Sequence, residues 1–140
     1  MIRLTRRYRF SASHRLHSEH FSEAENQQLY GKCNHPFGHG HDYVLEVSVA
    51  GQVDPQSGTA VLLPALDELV DRCIVSKFEH RDLNSEAPEF ASSVPTSENL
   101  VRVIEERLKA SWASRFPSEW PRLEKIRLQE TKRNLFEQTI

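Results

Sequence analysis

Residues 31–43, GKCNHPFGHGHDY, carry three histidines and one cysteine within thirteen positions. Imidazole and thiolate side chains are the usual protein ligands of zinc, so this stretch indicates metal chemistry. His39 and His41 are two residues apart, and in an extended segment both rings project from one face with Cα atoms about 7 Å apart. An H-x-H pair alone is a weak indication, so further ligands must come from elsewhere in the chain.

A third histidine lies in a predicted first strand, LTRRYRFSASH, whose alternation puts Phe10, Ala12 and His14 on one face. A predicted second strand, HDYVLEVSVAG, follows directly from the H-x-H pair. If the two strands are neighbours, His14 completes a set with His39 and His41. Three neutral imidazoles with one open position describe a catalytic zinc site rather than a closed structural one.

A carboxylate also lies on the apolar face of a predicted strand. In the predicted third strand, RLEKIRLQET, Glu130 shares the face of Ile126 and Leu128. A polar group on an apolar face is costly unless it is bonded to a partner. We therefore expect Glu130 to belong to a site together with the histidines.

Cys33 has two possible roles. As a fourth ligand it would close the zinc site, and as a general base or nucleophile it would act on a substrate. The turn beside Lys32 is expected to favour the thiolate, and a chain of 140 residues needs no zinc to fold, so we favour the base or nucleophile. Glu79 and His80 in FEHRDLN offer a proton relay to Cys33 only if the fold brings them together.

The elements that position these residues form a predicted α+β domain spanning 1–140. Two strands are followed by a helix that starts near Leu62, a second helix capped by Thr96, and two more strands. This order predicts a four-stranded antiparallel sheet with both helices on one face. Residues 15–34 are expected to form a long loop with a short helical turn, and open sheet edges would be closed by association into a barrel or ring.

The bulk composition excludes several classes of protein. A formal net charge of -2 creates no field that attracts nucleic acid, and no apolar run approaches the roughly 20 residues of a membrane span. The N-terminus lacks the apolar segment of a signal peptide, so the expected location is the cytoplasm. Cys73 lies on the apolar stripe of the first helix and is expected to be a core residue, whereas His17, His20 and His35 are interpreted as loop residues.

Six motifs in chain order carry a recognisable likeness: FSASHRLHSEHFSEAEN, LYGKCNHPFGHGHDY, VDPQSG, FEHRDLN, PTSEN and QET. They resemble the motifs of the 6-pyruvoyltetrahydropterin synthase family, which includes the 6-carboxytetrahydropterin synthases. The resemblance covers residues 10–131. It implies a tunnelling fold, in which subunits pair edge to edge into a trimeric barrel, two trimers stack into a homohexamer, and active sites lie at subunit interfaces.

The resemblance also implies a role for each candidate residue. Zinc (Zn2+) would be bound by His14, His39 and His41. Cys33 matches the proton-abstracting cysteine, and His80, preceded by Glu79, matches the relay histidine. Glu130 matches the glutamate that anchors the pterin, and Thr96 matches a threonine that assists it.

The implied reaction converts 7,8-dihydroneopterin triphosphate to 6-pyruvoyltetrahydropterin, with loss of triphosphate and an internal redox rearrangement. One alternative is 6-carboxytetrahydropterin synthase, which uses the same substrate on the route to queuosine and also releases acetaldehyde. The spacing of NQQLYGKCN and NHPFGHGHDY favours the pyruvoyl branch. A further alternative is a zinc-stabilised module that binds a pterin without turnover.

Two positions depart from the family pattern. Glu79 stands where an aspartate is usual before the relay histidine, so one extra methylene changes the reach of the carboxylate. Leu62 stands where an aspartate or asparagine usually follows the SG turn. The second departure removes a hydrogen bond or a contact whose purpose the sequence does not reveal.

Overall fold

The computed structural model describes all 140 residues and is built around a five-stranded mixed sheet with the strand order β3-β1-β2-β4-β5. The strands are β1 (Ile2–His14), β2 (His39–Gly51), β3 (Arg81–Asp82), β4 (Arg122–Thr131) and β5 (Asn134–Thr139). All neighbouring strands are antiparallel except β3, which is parallel to β1. The predicted four-stranded antiparallel sheet was therefore wrong in one strand, because a two-residue strand is too short to show any periodicity.

The helices are α1 (Glu23–Tyr30), α2 (Leu63–Val70), α3 (Ser76–Phe78), α4 (Leu83–Glu86) and α5 (Ser97–Arg115). A π-helical turn, Asp71–Val75, joins α2 to α3, and 3₁₀ turns occupy Gly31–Asn34 and Pro88–Ala91. The two predicted helices correspond to α2 and α5. The predicted helical turn in the first loop is confirmed as α1, whose N-cap Ser22 forms a reciprocal capping box with Glu25.

The hydrophobic core lies between one face of the sheet and helices α2 and α5. Phe10 and Ala12 on β1 are buried, as are Tyr43 and Leu45 on β2, which confirms the predicted alternation of both strands. Cys73 is partly buried and packs against this core, as predicted. Alternate residues of a strand lie on the same face. The polar residues at the ends of β1 and β2 that continue the apolar alternation therefore lie on the face that packs against the core.

The pairing of β1 with β2 brings the ends of the two strands together. The last residue of β1, His14, is the partner of His39, the first residue of β2. Ala12 is the partner of His41 in the same ladder. The register alone thus places three histidines at one end of the sheet.

Both edges of the sheet are largely unpaired within this chain. β3 covers β1 only at Ala12 and Ser13, and β5 pairs only with β4. Rows of unpaired backbone groups at a sheet edge are available for pairing with another chain. None of the helices combines the length and the apolar character needed to cross a membrane.

Candidate metal centre and active site

Four side chains converge at the junction of β1, β2 and the turn that precedes β2. The possible ligand atoms of His14, Cys33, His39 and His41 all lie within 4.8 Å of one another. Nε2 of His14 lies 3.1 Å from Nε2 of His41, and Nε2 of His39 lies 3.1 Å from Sγ of Cys33. The structure thus brings together the three predicted histidine ligands and the predicted catalytic cysteine.

The donor set of this cluster fits a bound cation. Nδ1 of His14 lies 3.0 Å from the carbonyl oxygen of Pro95, which can only accept, so Nδ1 carries the proton and Nε2 keeps its lone pair. Nε2 of His14 is therefore an acceptor, and Nε2 of His41, at 3.1 Å, either donates a hydrogen bond to it or binds a cation together with it. Tetrahedral zinc with Zn–N distances near 2.0–2.1 Å separates two nitrogens by about 3.3 Å, so the spacing suits this ion.

Burial favours the neutral, metal-binding form of His14 and His41. It lowers the pKa of His14 to about 4, and the neighbouring charge of His41 adds to this effect. Burial also lowers the pKa of His41, although the carboxylate of Glu130 acts in the opposite direction. The His14 ring is therefore neutral at neutral pH, as a metal ligand must be.

Gly38 brings the turn close to the end of β1. Its φ of +70° is in the left-handed region, and a Cβ atom built on it would lie 2.6 Å from the carbonyl oxygen of His14. Only glycine fits this position, because any side chain would meet backbone at a distance that real Cβ atoms do not show. The glycine thereby sets the approach of His39 to His14.

The environment of Cys33 differs from the sequence-based expectation. Burial raises the pKa of the Cys33 thiol, and the negative charge of Glu130 raises it further. The expected stabilisation of the thiolate by Lys32 is wrong, because the Lys32 side chain is exposed and contributes nothing to this shift. The position of Sγ beside His39 suits both a fourth ligand and a base next to a bound substrate.

Glu130 faces the histidines from the end of β4. Its side chain is only 11% exposed, and Oε1 lies 3.9 Å from Nε2 of His41. The buried hydroxyl of Ser97 donates a short hydrogen bond to Oε2. The prediction that Glu130 is a polar residue on the apolar face of its strand agrees with this burial.

Thr96 and Ser97 at the start of α5 have different hydrogen-bond partners. Oγ1 of Thr96 accepts the backbone N–H of Asn99 at 3.2 Å, which confirms its predicted capping role. Ser97, which sequence reasoning missed, is the residue that contacts Glu130. A serine in the first turn of a helix breaks no periodic pattern, so nothing in the sequence pointed to it.

Glu79 and His80 form a pair on the edge of the sheet. Oε1 of Glu79 lies 2.9 Å from Nε2 of His80, and Oε2 accepts the backbone N–H of Ser11 at 3.2 Å. The Ser11 carbonyl in turn accepts the backbone N–H of His80 at 2.7 Å. The extra methylene of Glu79 is therefore compatible with the pair. The His80 side chain is 80% exposed and lines one surface cleft together with His41, but it makes no hydrogen bond to Cys33 or to the three histidines, so one chain does not assemble the predicted relay.

The second departure from the family pattern has a structural explanation. Leu62 is the N-cap residue of α2, is 63% exposed, and offers no side-chain acceptor to the first turn. An aspartate or asparagine at an N-cap accepts a backbone N–H of that turn. The departure thus removes a helix cap.

An open cleft of about 690 Å³ borders the candidate metal centre on the side of His39. Its wall includes Lys32, Asn34 and His35 from the turn, and Gln27 from α1. A small molecule in this cleft would contact the turn that carries Cys33. Of the four clustered side chains, only His39 lines this cleft.

Comparison with known proteins agrees with the motifs and the geometry. The family model described as 6-pyruvoyl tetrahydropterin synthase matches residues 3–139. A 6-pyruvoyl tetrahydrobiopterin synthase from Poecilia reticulata is 39% identical over 132 residues, which are 94% of this chain and 86% of that protein. The Homo sapiens protein of the same name is 42% identical over 106 residues, 76% of this chain and 73% of that protein.

A solved structure and a more distant relative complete the comparison. The Caenorhabditis elegans 6-pyruvoyl tetrahydropterin synthase structure superposes with a TM-score of 0.86 at 38% identity, over 99% of this chain and 94% of that chain. A 6-carboxy-5,6,7,8-tetrahydropterin synthase from Rickettsia conorii is 34% identical over 80 residues, only 57% of this chain and 49% of that protein. The chain belongs to the 6-pyruvoyl tetrahydropterin synthase family.

Proposed function

We propose that this protein is a zinc-dependent lyase that converts 7,8-dihydroneopterin triphosphate to 6-pyruvoyltetrahydropterin and releases triphosphate. The observation that carries the proposal is the convergence of His14, His39, His41 and Cys33 within 4.8 Å, with the buried carboxylate of Glu130 beside them. Relatives about 40% identical over most of the chain are named for the pyruvoyl reaction, which supports the same choice.

His14, His39 and His41 hold the zinc ion in this proposal. The bound ion supplies Lewis acidity, which acidifies the side-chain hydroxyls of the substrate and the adjacent C–H bond. Pro95 fixes the tautomer of His14 through the hydrogen bond to Nδ1, so that Nε2 is free to bind.

Glu130 anchors the pterin ring. A carboxylate accepts two N–H bonds from a 2-amino pyrimidinone edge, and such paired, charge-assisted bonds fix both position and orientation. The Ser97 hydroxyl holds the carboxylate in place, and Thr96 at the adjacent position assists the binding of the ring. Lys32 in the wall of the cleft offers a positive charge to the triphosphate.

Cys33 acts as the base that removes the carbon-bound proton of the substrate side chain. His80, oriented by Glu79, then moves protons to and from the substrate oxygens. Because His80 is exposed and separate from Cys33 of its own chain, we infer that it serves the site of a neighbouring copy. The unpaired sheet edges favour such an assembly, which we propose to be a homohexamer of two stacked trimers.

Incubation of the zinc-loaded protein with 7,8-dihydroneopterin triphosphate tests the function. We expect triphosphate and 6-pyruvoyltetrahydropterin, identified by chromatography and mass spectrometry under exclusion of oxygen. Acetaldehyde together with a carboxylated pterin would instead assign the chain to 6-carboxytetrahydropterin synthase, which its partial likeness to the Rickettsia protein keeps as the second candidate. Pterin binding without any turnover would overturn both activities and leave a zinc-containing binding module.

A further inference from the structure

We propose that Asn34 is a positioning residue that holds Cys33 at the metal centre. Asn34 follows Cys33 in the 3₁₀ turn, and its side chain is buried, with the residue only 7% exposed. Its catalytic consequence rests on the function proposed above, whereas the geometry that it controls is independent of the substrate. The contacts that carry the inference join the turn to the segment that follows His14.

The side-chain amide of Asn34 makes two contacts with that segment. Nδ2 donates to the carbonyl oxygen of Leu16 at 2.8 Å and lies 3.1 Å from Nδ1 of His17. The Leu16 oxygen can only accept, which identifies the atom facing it as the amide nitrogen. Nδ1 of His17 must then accept the second amide hydrogen, so both donors of Asn34 are used.

Backbone contacts complete the connection. The N–H of Leu16 donates to the carbonyl oxygen of Cys33 at 2.7 Å, and Nε of Arg15 donates to the carbonyl oxygen of Asn34 at 3.3 Å. Both backbone groups of Leu16 thus bond to the turn: its N–H donates to the Cys33 carbonyl, and its C=O accepts from the Asn34 side-chain amide.

This connection lies close in sequence to both His14 and Cys33. His14 lies two residues before Leu16, and Cys33 lies directly before Asn34. The connection therefore holds the strand that carries one histidine at a set distance from the turn that carries the thiol. Loss of the Asn34 amide frees Sγ of Cys33 to leave its place 3.1 Å from His39.

Asn84 provides the matched control. Its amide also makes two hydrogen bonds to this segment, accepting the N–H of Arg15 at 2.7 Å and donating to the Arg15 carbonyl at 2.9 Å. Asn84 makes no hydrogen bond to the turn that contains Cys33. Removal of the Asn84 side chain therefore weakens the attachment of the segment that follows His14 but removes no hydrogen bond of the turn that contains Cys33.

The kinetic test uses Asn34→Asp, which keeps the size of the side chain but replaces the amide donor by an acceptor. The new oxygen faces the Leu16 carbonyl, and the turn moves away. A displacement of about 1 Å at a catalytic group costs up to about 100-fold in rate, so we expect kcat to fall at least tenfold. We expect KM to change less than twofold, and the zinc content and kcat of Asn84→Ala to match those of the parent protein.

The second readout requires no pterin. Metal-free protein is alkylated with iodoacetamide at one fixed pH, and the modified peptides are quantified by mass spectrometry. For this readout the amide is removed by Asn34→Leu, which adds no charge beside the thiol; we expect Cys33 to react several times faster in it than in the parent protein or in Asn84→Ala, with Cys73 as an internal standard of unchanged rate. If the parent protein shows no turnover, the proposed function fails, and this measurement still decides the role of Asn34.

The outcomes are distinct. Unchanged kcat together with an unchanged alkylation rate of Cys33 would overturn the inference, and so would a raised KM at constant kcat, which indicates a substrate contact. If neither Asn34 variant folds, His17→Phe and His17→Asn decide. His17→Phe deletes the acceptor of the Asn34 amide and should raise the alkylation rate of Cys33. In His17→Asn the side-chain oxygen takes the place of Nδ1, and the rate should stay at that of the parent protein. Equal rates in the two variants would contradict the proposal.

Discussion

Oε1 of Glu79 lies 2.9 Å from Nε2 of His80, and this pair stands on the sheet edge without a hydrogen bond to Cys33. The pair is fixed to β1 by two hydrogen bonds to the backbone of Ser11. The proposed chemistry needs both the thiol and the imidazole, yet one chain keeps them apart. A second chain that pairs with the open edge of the sheet is the simplest way to bring them together.

Complementation between two inactive variants tests this arrangement. Cys33→Ala and His80→Ala should each lose at least about 100-fold in kcat, because a general acid or base contributes that much. Co-expressed with different affinity tags and purified as mixed oligomers, they should recover roughly a quarter of the parent activity, since neighbouring intact copies complete some sites in a closed ring. Recovery no greater than that of the separately purified variants would contradict a shared site.

Metal analysis of Cys33→Ala separates the two roles of the thiol. If three histidines bind the zinc ion, the variant keeps about one zinc per chain and its thermal stability, while turnover is lost. Atomic absorption and thermal unfolding provide the measurements. Cys73→Ala is the control for loss of a partly buried cysteine outside the centre. Simultaneous loss of zinc and of the fold would show that Cys33 is a structural ligand.

Gly38→Ala should be far more damaging than Gly58→Ala. Both glycines have positive φ, +70° and +74°, but only at Gly38 would a Cβ meet backbone, 2.6 Å from the His14 carbonyl. We expect a cost of about 1 kcal/mol for Gly58→Ala from backbone strain alone, and several times more for Gly38→Ala. Urea unfolding and zinc content measure the two effects. Equal destabilisation of the two variants would show that the close approach to His14 is unimportant.

The metal-free protein should lose stability in mild acid because His14 is buried as a neutral ring. Its folded pKa of about 4 lies below the ordinary value of 6.5, so the unfolded chain takes up the proton first as the pH falls. The free energy of unfolding should decrease between pH 6.5 and pH 4, by about 3 kcal/mol at most from this group. Urea unfolding of the chelator-treated protein at several pH values measures the slope.

His14→Asn is the control for this pH dependence. The asparagine amide can still donate to the Pro95 carbonyl, but it does not titrate. The slope should become shallower in this variant. An identical slope in both proteins would mean that His14 does not contribute to the acid sensitivity.

Leu62→Asp should stabilise the protein. The aspartate side chain accepts a backbone N–H at the start of α2 and interacts favourably with the helix dipole, which together amount to about 1 kcal/mol. The melting temperature should rise by a few degrees, at unchanged kcat. Leu62→Ala removes the exposed leucine without adding a cap, so equal melting temperatures for the two variants would exclude the capping explanation.

Much of the candidate metal centre follows from local sequence patterns, because alternation decides which face of a strand a residue occupies. The parity of Phe10, Ala12 and His14 placed a histidine on the buried side of β1, and burial confirms it. Thr96 as a helix cap was likewise a local pattern. The family motifs predicted membership of the 6-pyruvoyl tetrahydropterin synthase family, and the comparisons confirm it.

Contacts between residues far apart in the chain could not be predicted in this way, because they depend on how the elements pack. Asn34 meets Leu16 across 18 positions, and Ser97 meets Glu130 across 33, and neither pair has a periodic signal. The exposed position of His80 depends on β3, whose two residues are too few to show alternation. These contacts form only when whole helices and strands pack together. A short stretch of sequence therefore carries no pattern that predicts them.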